Sequence, residues 1–214
     1  MRSAAVRRQG GRPSDRGRTS VRILYLYCHP LADSFHAAIR AAALNALKGG
    51  RHSVDLLDLY GESFQPVLTA DERRHYFESP RNQAGLEDYV ERIKGAEALL
   101  IQYPTWRFGS PAMLKGFFDR LLIPGVAYDV SDPARTKPSL DNLRRIVGVV
   151  TYGQRWSAAF WMGDAPRKTV TRFLPWFTKD KAKTEYYALY NVDHSTERTR
   201  RAFIARVERG LRRL

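Results

Sequence analysis

QYPTWRFGSPAMLKGFFDRLLIPGVAY, residues 102–128, carries a strand end, an aromatic turn and a whole helix, and its reading decides the fold. It continues the apolar run ALLIQYP (98–104), which is short, uncharged and closed by proline, as a buried strand should be. Ser110-Pro111 then offers an N-cap followed by proline at the first helical position. Met113, Leu114, Phe117, Phe118 and Leu121 recur at helical spacing, and Pro124-Gly125 ends the stripe. Strand, turn and helix in this order are half of a βαβ crossover.

The same alternation extends in both directions. Upstream, VRILYLYC (21–28) reads as a buried strand, and Phe35, Ala38, Ile39, Ala42 and Ala46 mark a helix from Ser34 to Leu47 that Gly49-Gly50 stops. HSVDLLDLY (52–60) reads as a second strand, Gly61 to Asn82 as a long polar loop, and Leu86 to Glu97 as a helix. Downstream, RRIVGVVTYG (144–153) is a fourth strand, Asp164 caps a helix running to about Phe177, and TEYYALYNV (184–192) is a fifth strand. Thr196 opens a last helix with Phe203, Ile204, Val207 and Leu211 on one face. Strands alternating with helices predict an α/β fold, a parallel sheet covered on both faces. The sequence thus predicts one domain over 21–214, preceded by a disordered basic tail over 1–20 that has almost nothing apolar to bury.

Composition narrows the function classes. With 43% hydrophobic and 12% aromatic residues, the 214-residue chain can build a core. Its single cysteine, Cys28, excludes an internal disulfide and a Cys-based zinc site, and the five histidines show no metal-ligand spacing. Cys28 reads as a small buried hydrophobe ahead of a redox thiol. No apolar run approaches the roughly 20 residues of a membrane-spanning helix, so a cytoplasmic protein is expected. The net charge of +14 is uneven: residues 1–20 and 196–214 carry +5 each, leaving +4 between them. Basic residues collected at the ends, away from the aromatic loops, argue against a nucleic-acid binder.

Ligands of an open parallel sheet bind beyond the carboxyl ends of its strands. Three segments leave such ends: CHPLADSFH (28–36), YPTWRFGS (103–110) and TYGQRW (151–156). Neither a G-x-G dinucleotide fingerprint nor a G-x-x-x-x-G-K-[ST] loop occurs. The backbone N–H groups of Ser34, Phe35 and His36 could still hold an anion at the first turn of a helix, with the Ser34 hydroxyl and the His29 ring as further donors. An ordinary N-cap with His29 packed against it accounts for this segment at least as well.

Residues 102–128 shift that balance, because they resemble the NAD(P)H:quinone oxidoreductase family, flavoproteins of flavodoxin-like fold. The likeness lies in Pro104, Trp106, Phe108, Pro111-Ala112, Leu114-Lys115-Gly116, Phe117-Phe118-Asp119-Arg120 and Ala127-Tyr128. His29, Ser34 and Phe35 fall in the family's phosphate position and Thr151-Tyr152-Gly153 in its flavin-edge position. The resemblance implies a doubly wound five-stranded sheet of order 2-1-3-4-5. It implies FMN, with FAD as the alternative, and NAD(P)H as co-substrate. The phosphate would lie at His29, Ser34, Phe35 and His36, and the ring against Pro104, Thr105, Trp106, Arg107 and Phe108, with Thr151, Tyr152 and Gly153 at its other edge. It implies a homodimer in which Tyr128 lines the neighbouring pocket, and Tyr152 is the candidate phenol for the hydride step. His36 stands where the family often has Asn, and Arg107 replaces a common Trp. The rival expectation is an ancillary flavoprotein subunit of a membrane transporter, touching a membrane or an acidic partner. Trp156, Trp161 and Trp176 are expected in the core or at the dimer contact.

Overall fold

The computed structural model describes residues 20–214 other than 51 and 133; of the tail expected over 1–20, all but residue 20 lies outside the described residues. Five strands form the main sheet: β1 (Arg22–Tyr27), β2 (Ser53–Asp58), β3 (Ala98–Pro104), β6 (Arg145–Thr151) and β7 (Lys183–Leu189). Their spatial order is β2-β1-β3-β6-β7, and every neighbouring pair is parallel. Counted among the sheet strands alone, this is the expected order. A two-residue antiparallel ribbon, β4 (Tyr128–Asp129) with β5 (Lys137–Pro138), was not anticipated.

A parallel sheet sandwiched between helices must be apolar on both faces, and alternate residues of each strand supply the two faces. Leu24, Leu26, Leu99, Ile101, Ile146 and Val150 face one core. There they meet α3 (Glu87–Gly95) and α4 (Ala112–Leu121) through Val90, Ile93, Leu114, Phe117 and Leu121. Ile23, Tyr25, Leu100, Val147 and Val149 face the other core. There they meet Ile39, Ala43 and Leu47 of α1 (Phe35–Gly49) and Phe203, Val207 and Leu211 of α7 (Glu197–Leu211). All seven residues of β3 are buried, which makes it the strand around which both layers close.

The long helices begin where their caps predict. The Ser34 hydroxyl accepts from the Ala37 amide at 3.2 Å, and the Thr196 hydroxyl accepts from Thr199 at 3.2 Å. At α4 the N-cap is Pro111 rather than Ser110, and no side chain caps it.

Two stretches depart from expectation. The polar loop contains α2 (Ala70–Arg74), which a reciprocal Thr69–Glu72 capping box starts. The single helix expected from Asp164 to Phe177 is broken into α6 (Ala165–Lys168), a π turn (Thr169–Phe173) and a tighter turn (Leu174–Phe177), preceded by α5 (Trp156–Trp161). Thr169 and Thr171 hydroxyls donate to backbone carbonyls one turn back, and Pro175 removes an amide from the ladder. Asp164 itself sits at φ 43° and makes no capping bond. Among the described residues no helix is long and apolar enough to cross a membrane.

Candidate active site

The ladder of the sheet brings the expected rims together. The Cys28 amide donates to the Gln102 carbonyl at 3.0 Å and the Thr105 amide to the Thr151 carbonyl at 2.8 Å, so the three segments leave side by side. Between them lies a cleft of about 340 Å³ lined by His29, Phe35, His36, Pro104, Thr105, Trp106, Thr151 and Gly153, together with Val192, Asp193 and Arg200. Its floor is the start of α1, where the amides of Phe35 and His36 have no partner within the helix and the positive end of the helix dipole faces outward.

The Ser34 hydroxyl does not reach toward a ligand as expected. It donates to the Leu31 carbonyl at 2.9 Å while capping α1, so the cap consumes it. His29 accepts from the Leu31 amide through Nδ1 at 3.1 Å, which leaves Nε2 as its donor. Its ring stacks on His36 with centroids 5.3 Å apart. Burial lowers the His29 pKa, and burial followed by the neighbouring His29 pulls His36 down to about 3. Both rings are neutral at pH 7, and Arg200 is the cation of the cleft. Its guanidinium donates to the Ser195 hydroxyl at 2.8 Å and the Val192 carbonyl at 3.3 Å, and lies 5.7 Å from the Phe35 ring centre.

The aromatic turn is a two-residue hairpin. Trp106 and Gly109 exchange backbone hydrogen bonds of 3.0 Å, and Arg107 and Phe108 between them both take positive φ, 52° and 62°. Non-glycine residues rarely adopt this conformation, and strain of this kind collects at ligand sites. Arg107 is exposed at the tip, so its charge does not enter the cleft, and Phe108 also lies outside the lining. Gly153 sits where a Cβ would stand 2.7 Å from the exposed Asp193 carboxylate, so the two residues lie close together at the cleft.

Of the two tyrosines expected at the chemistry, Tyr152 turns its phenol away from the cleft, and Tyr128, expected to line a neighbouring pocket, stands outside this chain's own cleft. Tyr152 follows Thr151 at the end of β6, so its side chain takes the opposite face of the sheet. Its phenol donates to Asp164 at 2.6 Å and meets the Tyr186 hydroxyl. Burial, then Tyr186 and Asp164, raise its pKa and keep it protonated. This corrects the expectation that the Tyr152 phenol serves the cleft. Tyr128 lines a second, larger cleft of about 820 Å³ with Arg73, Tyr76, Phe118, Phe173, Trp176 and Phe177, where its hydroxyl lies 3.1 Å from that of Tyr76. Cys28 is wholly buried and its thiol is pushed up to about 12 by burial, which suits the small-hydrophobe reading.

Val192, Asp193 and Arg200 were not singled out from the sequence. The signal existed: YNVDHS (190–195) leaves the carboxyl end of the fifth strand and is a rim by the same rule as the other three.

Comparison with known proteins agrees with this fold. A family profile described as flavodoxin-like fold matches residues 21–179. NAD(P)H dehydrogenase (quinone) 1 of Rattus norvegicus is 27% identical over 151 residues, covering 62% of this chain and 54% of the rat protein. The FMN-dependent NADH:quinone oxidoreductase of Lachnoclostridium phytofermentans is 31% identical over 124 residues, covering 56% of this chain and 62% of that protein. The chain spans about half the length of the curated relatives it matches, 54% in the rat case. Among solved structures, the NAD(P)H:quinone oxidoreductase of Methanothermobacter marburgensis has a TM-score of 0.76 at 24% identity, over 91% of this chain and 96% of that one, a likeness of fold.

The neutral state of His36 has a measurable consequence. An unfolded histidine protonates near 6.5, whereas folded His36 does so near 3. The stability it contributes is therefore complete above pH 6.5 and is lost as pH falls toward 3. In urea melts, the lead of wild type over His36→Gln should shrink by about 2 kcal/mol between pH 7 and pH 5. A constant difference would show that the folded ring titrates normally.

Proposed function

The chain belongs to the flavodoxin-like fold family, and on that premise we propose that it is an FMN-dependent NAD(P)H oxidoreductase passing hydride to a quinone or a similar small electrophilic acceptor. The observation that carries this reading is the cleft at the α1 N-terminus, where the start of α1, the aromatic turn and the end of β6 converge. Its residues suit the cofactor. Phe35 and His36 offer backbone donors and Arg200 a full positive charge for one phosphate. Pro104, Thr105 and Trp106 present one wall, and Thr151 and Gly153 the facing edge. A volume of about 340 Å³ lies at the small end of ligand sites.

When bound, the flavin supplies the hydride chemistry, accepting from reduced nicotinamide and giving to the acceptor. The protein's part is to bind and orient it. Helix dipole, amides and Arg200 anchor the anionic end, while the strained turn at Arg107 and Phe108 shapes the wall against which the ring rests. Two relatives are named for quinone reduction, and one of them for FMN, in agreement with this assignment. No observation favours the transporter-subunit alternative.

A homodimer belongs to the same proposal. Trp156, Phe160 and Trp161 are 57%, 68% and 83% exposed, and Met162, Phe173 and Trp176 extend the apolar surface toward the cleft that holds Tyr128. Contiguous apolar surface of this kind marks an interface. The tryptophans expected in the core or at a contact are thus on the surface, where a second copy would bury them and bring Tyr128 close to the partner's ring.

Purified protein mixed with FMN and desalted should keep a flavin spectrum, and anaerobic NADPH or NADH should bleach it within one mixing time. Loss of all flavin on desalting, or a spectrum indifferent to both nicotinamides, would contradict the assignment. In sedimentation velocity the wild type should run as a dimer and Trp161→Asp/Trp176→Asp as a monomer. A monomeric wild type at micromolar concentration would contradict the dimer.

A further inference from the structure

One polar side chain interrupts the most buried strand of the sheet. Gln102 of β3 has no exposed surface, and around it Tyr25 of β1, His36 of α1 and Thr151 of β6 form a continuous buried network. The direction of every hydrogen bond in this network follows from what each atom can do.

The Tyr25 phenol, kept protonated by burial, donates to Gln102 Oε1. This turns Gln102 Nε2 toward His36, where it donates to the His36 carbonyl at 2.7 Å, a group that can only accept. The second Nε2 hydrogen points at His36 Nδ1, 3.1 Å away. Nδ1 must then present its lone pair, and a neutral imidazole whose Nδ1 accepts carries its proton on Nε2. That proton is donated to Thr151 Oγ1 at 2.8 Å. With one lone pair of its hydroxyl taken by His36, Thr151 still holds its own proton, and among the described residues the hydroxyl makes no second hydrogen bond. Thr151 lines the cleft.

We propose that Gln102 and His36 are positioning residues that fix the Thr151 hydroxyl as an obligatory hydrogen-bond donor at the flavin edge of the cleft. The target would be an accepting atom of the ring, a carbonyl oxygen or an unprotonated ring nitrogen, never an N–H. The choice of flavin as the occupant rests on the functional reading above; the polarity of the network does not. The same network ties the first turn of α1 to the end of β6, so the anchor for the phosphate and the donor for the ring are held in one frame. It also gives His36 a task unlike that of an anion-binding histidine: its ring is spent inside the protein, and only its backbone amide faces the α1 N-terminal site.

Two measurements test this. The first uses the ligand-free wild-type protein at pH 7: a long-range proton–nitrogen-15 correlation spectrum should show His36 as the neutral ring protonated at Nε2. An imidazolium, or a ring protonated at Nδ1, overturns the relay whether or not flavin binds. The second is FMN titration of Thr151→Val, Thr151→Ser, His36→Leu and the Thr151→Val/His36→Leu double variant, each checked for folding by circular dichroism. One hydrogen bond of ordinary net strength corresponds to roughly three- to tenfold in affinity. Thr151→Val and His36→Leu should each weaken FMN by that factor and alter the shape of the bound-flavin absorption band, while Thr151→Ser stays within about twofold of wild type. Because both act through one bond, the double variant should be no weaker than the worse single variant. Independent, multiplying losses, or wild-type affinity in Thr151→Val, would overturn the proposal. A wild type that binds no FMN would defeat the functional reading and the ring as the donor's target together, with the histidine spectrum still deciding the polarity of the relay.

Discussion

Parallel pairing around β3 is the constraint from which the rest follows. Strands β1, β3 and β6 lie side by side in the same direction, so their carboxyl ends emerge along one edge. A strand buried on both faces has no polar outlet within the sheet, and apart from the buried network around Gln102 the chain places its polar and strained residues at or just beyond that edge. The amides of Cys28, Thr105 and Tyr152 prolong the ladder past the regular strands, donating to Gln102, Thr151 and Leu189. They fix where each rim departs. The cleft is thus a property of the sheet's topology before it is a property of any one loop.

Electrostatics at that edge is economical. The protein carries a net charge of +14, yet the two histidines nearest the α1 N-terminus are neutral because burial disfavours their protonated forms. Attraction for an anion comes from backbone amides, a helix dipole and the single guanidinium of Arg200, with the exposed Asp193 carboxylate at the rim. A site of this kind suits a ligand with one anionic end and a neutral heterocycle. The buried network through Gln102 adds rigidity where the ring would rest, since each of its members has a defined partner.

Much of this was legible in the residues. The three central strands lie within two residues of their apolar runs because a strand buried on both faces leaves no amphipathic ambiguity, and the partly buried edge strands β2 and β7 lie within three. Ser34 and Thr196 announced α1 and α7 by cap chemistry. The segment from Asp164 to Phe177 reads in the sequence as one capped helix because threonine back-bonding leaves no mark on hydrophobic spacing and the reading gives Pro175 no weight as a breaker. Asp164 looked like an N-cap, but the Tyr152 phenol claims its carboxylate. Strand parity could have separated Thr151 from Tyr152: with Val147 and Val149 on the α1 face, Thr151 shares that face and Tyr152 cannot. His36 stood out as a substitution for asparagine, while its partnership with Gln102, 66 residues away, is visible only in three dimensions.

The most direct test of the account is an amide chemical-shift map of the protein titrated with FMN. The account predicts that the largest perturbations fall on Phe35, His36, Thr105, Trp106 and Gly153, with little change at Tyr76 or Phe177 until a nicotinamide or quinone is added. Perturbations centred on the cleft of Tyr76, Tyr128 and Trp176, with the α1 N-terminus silent, would contradict it.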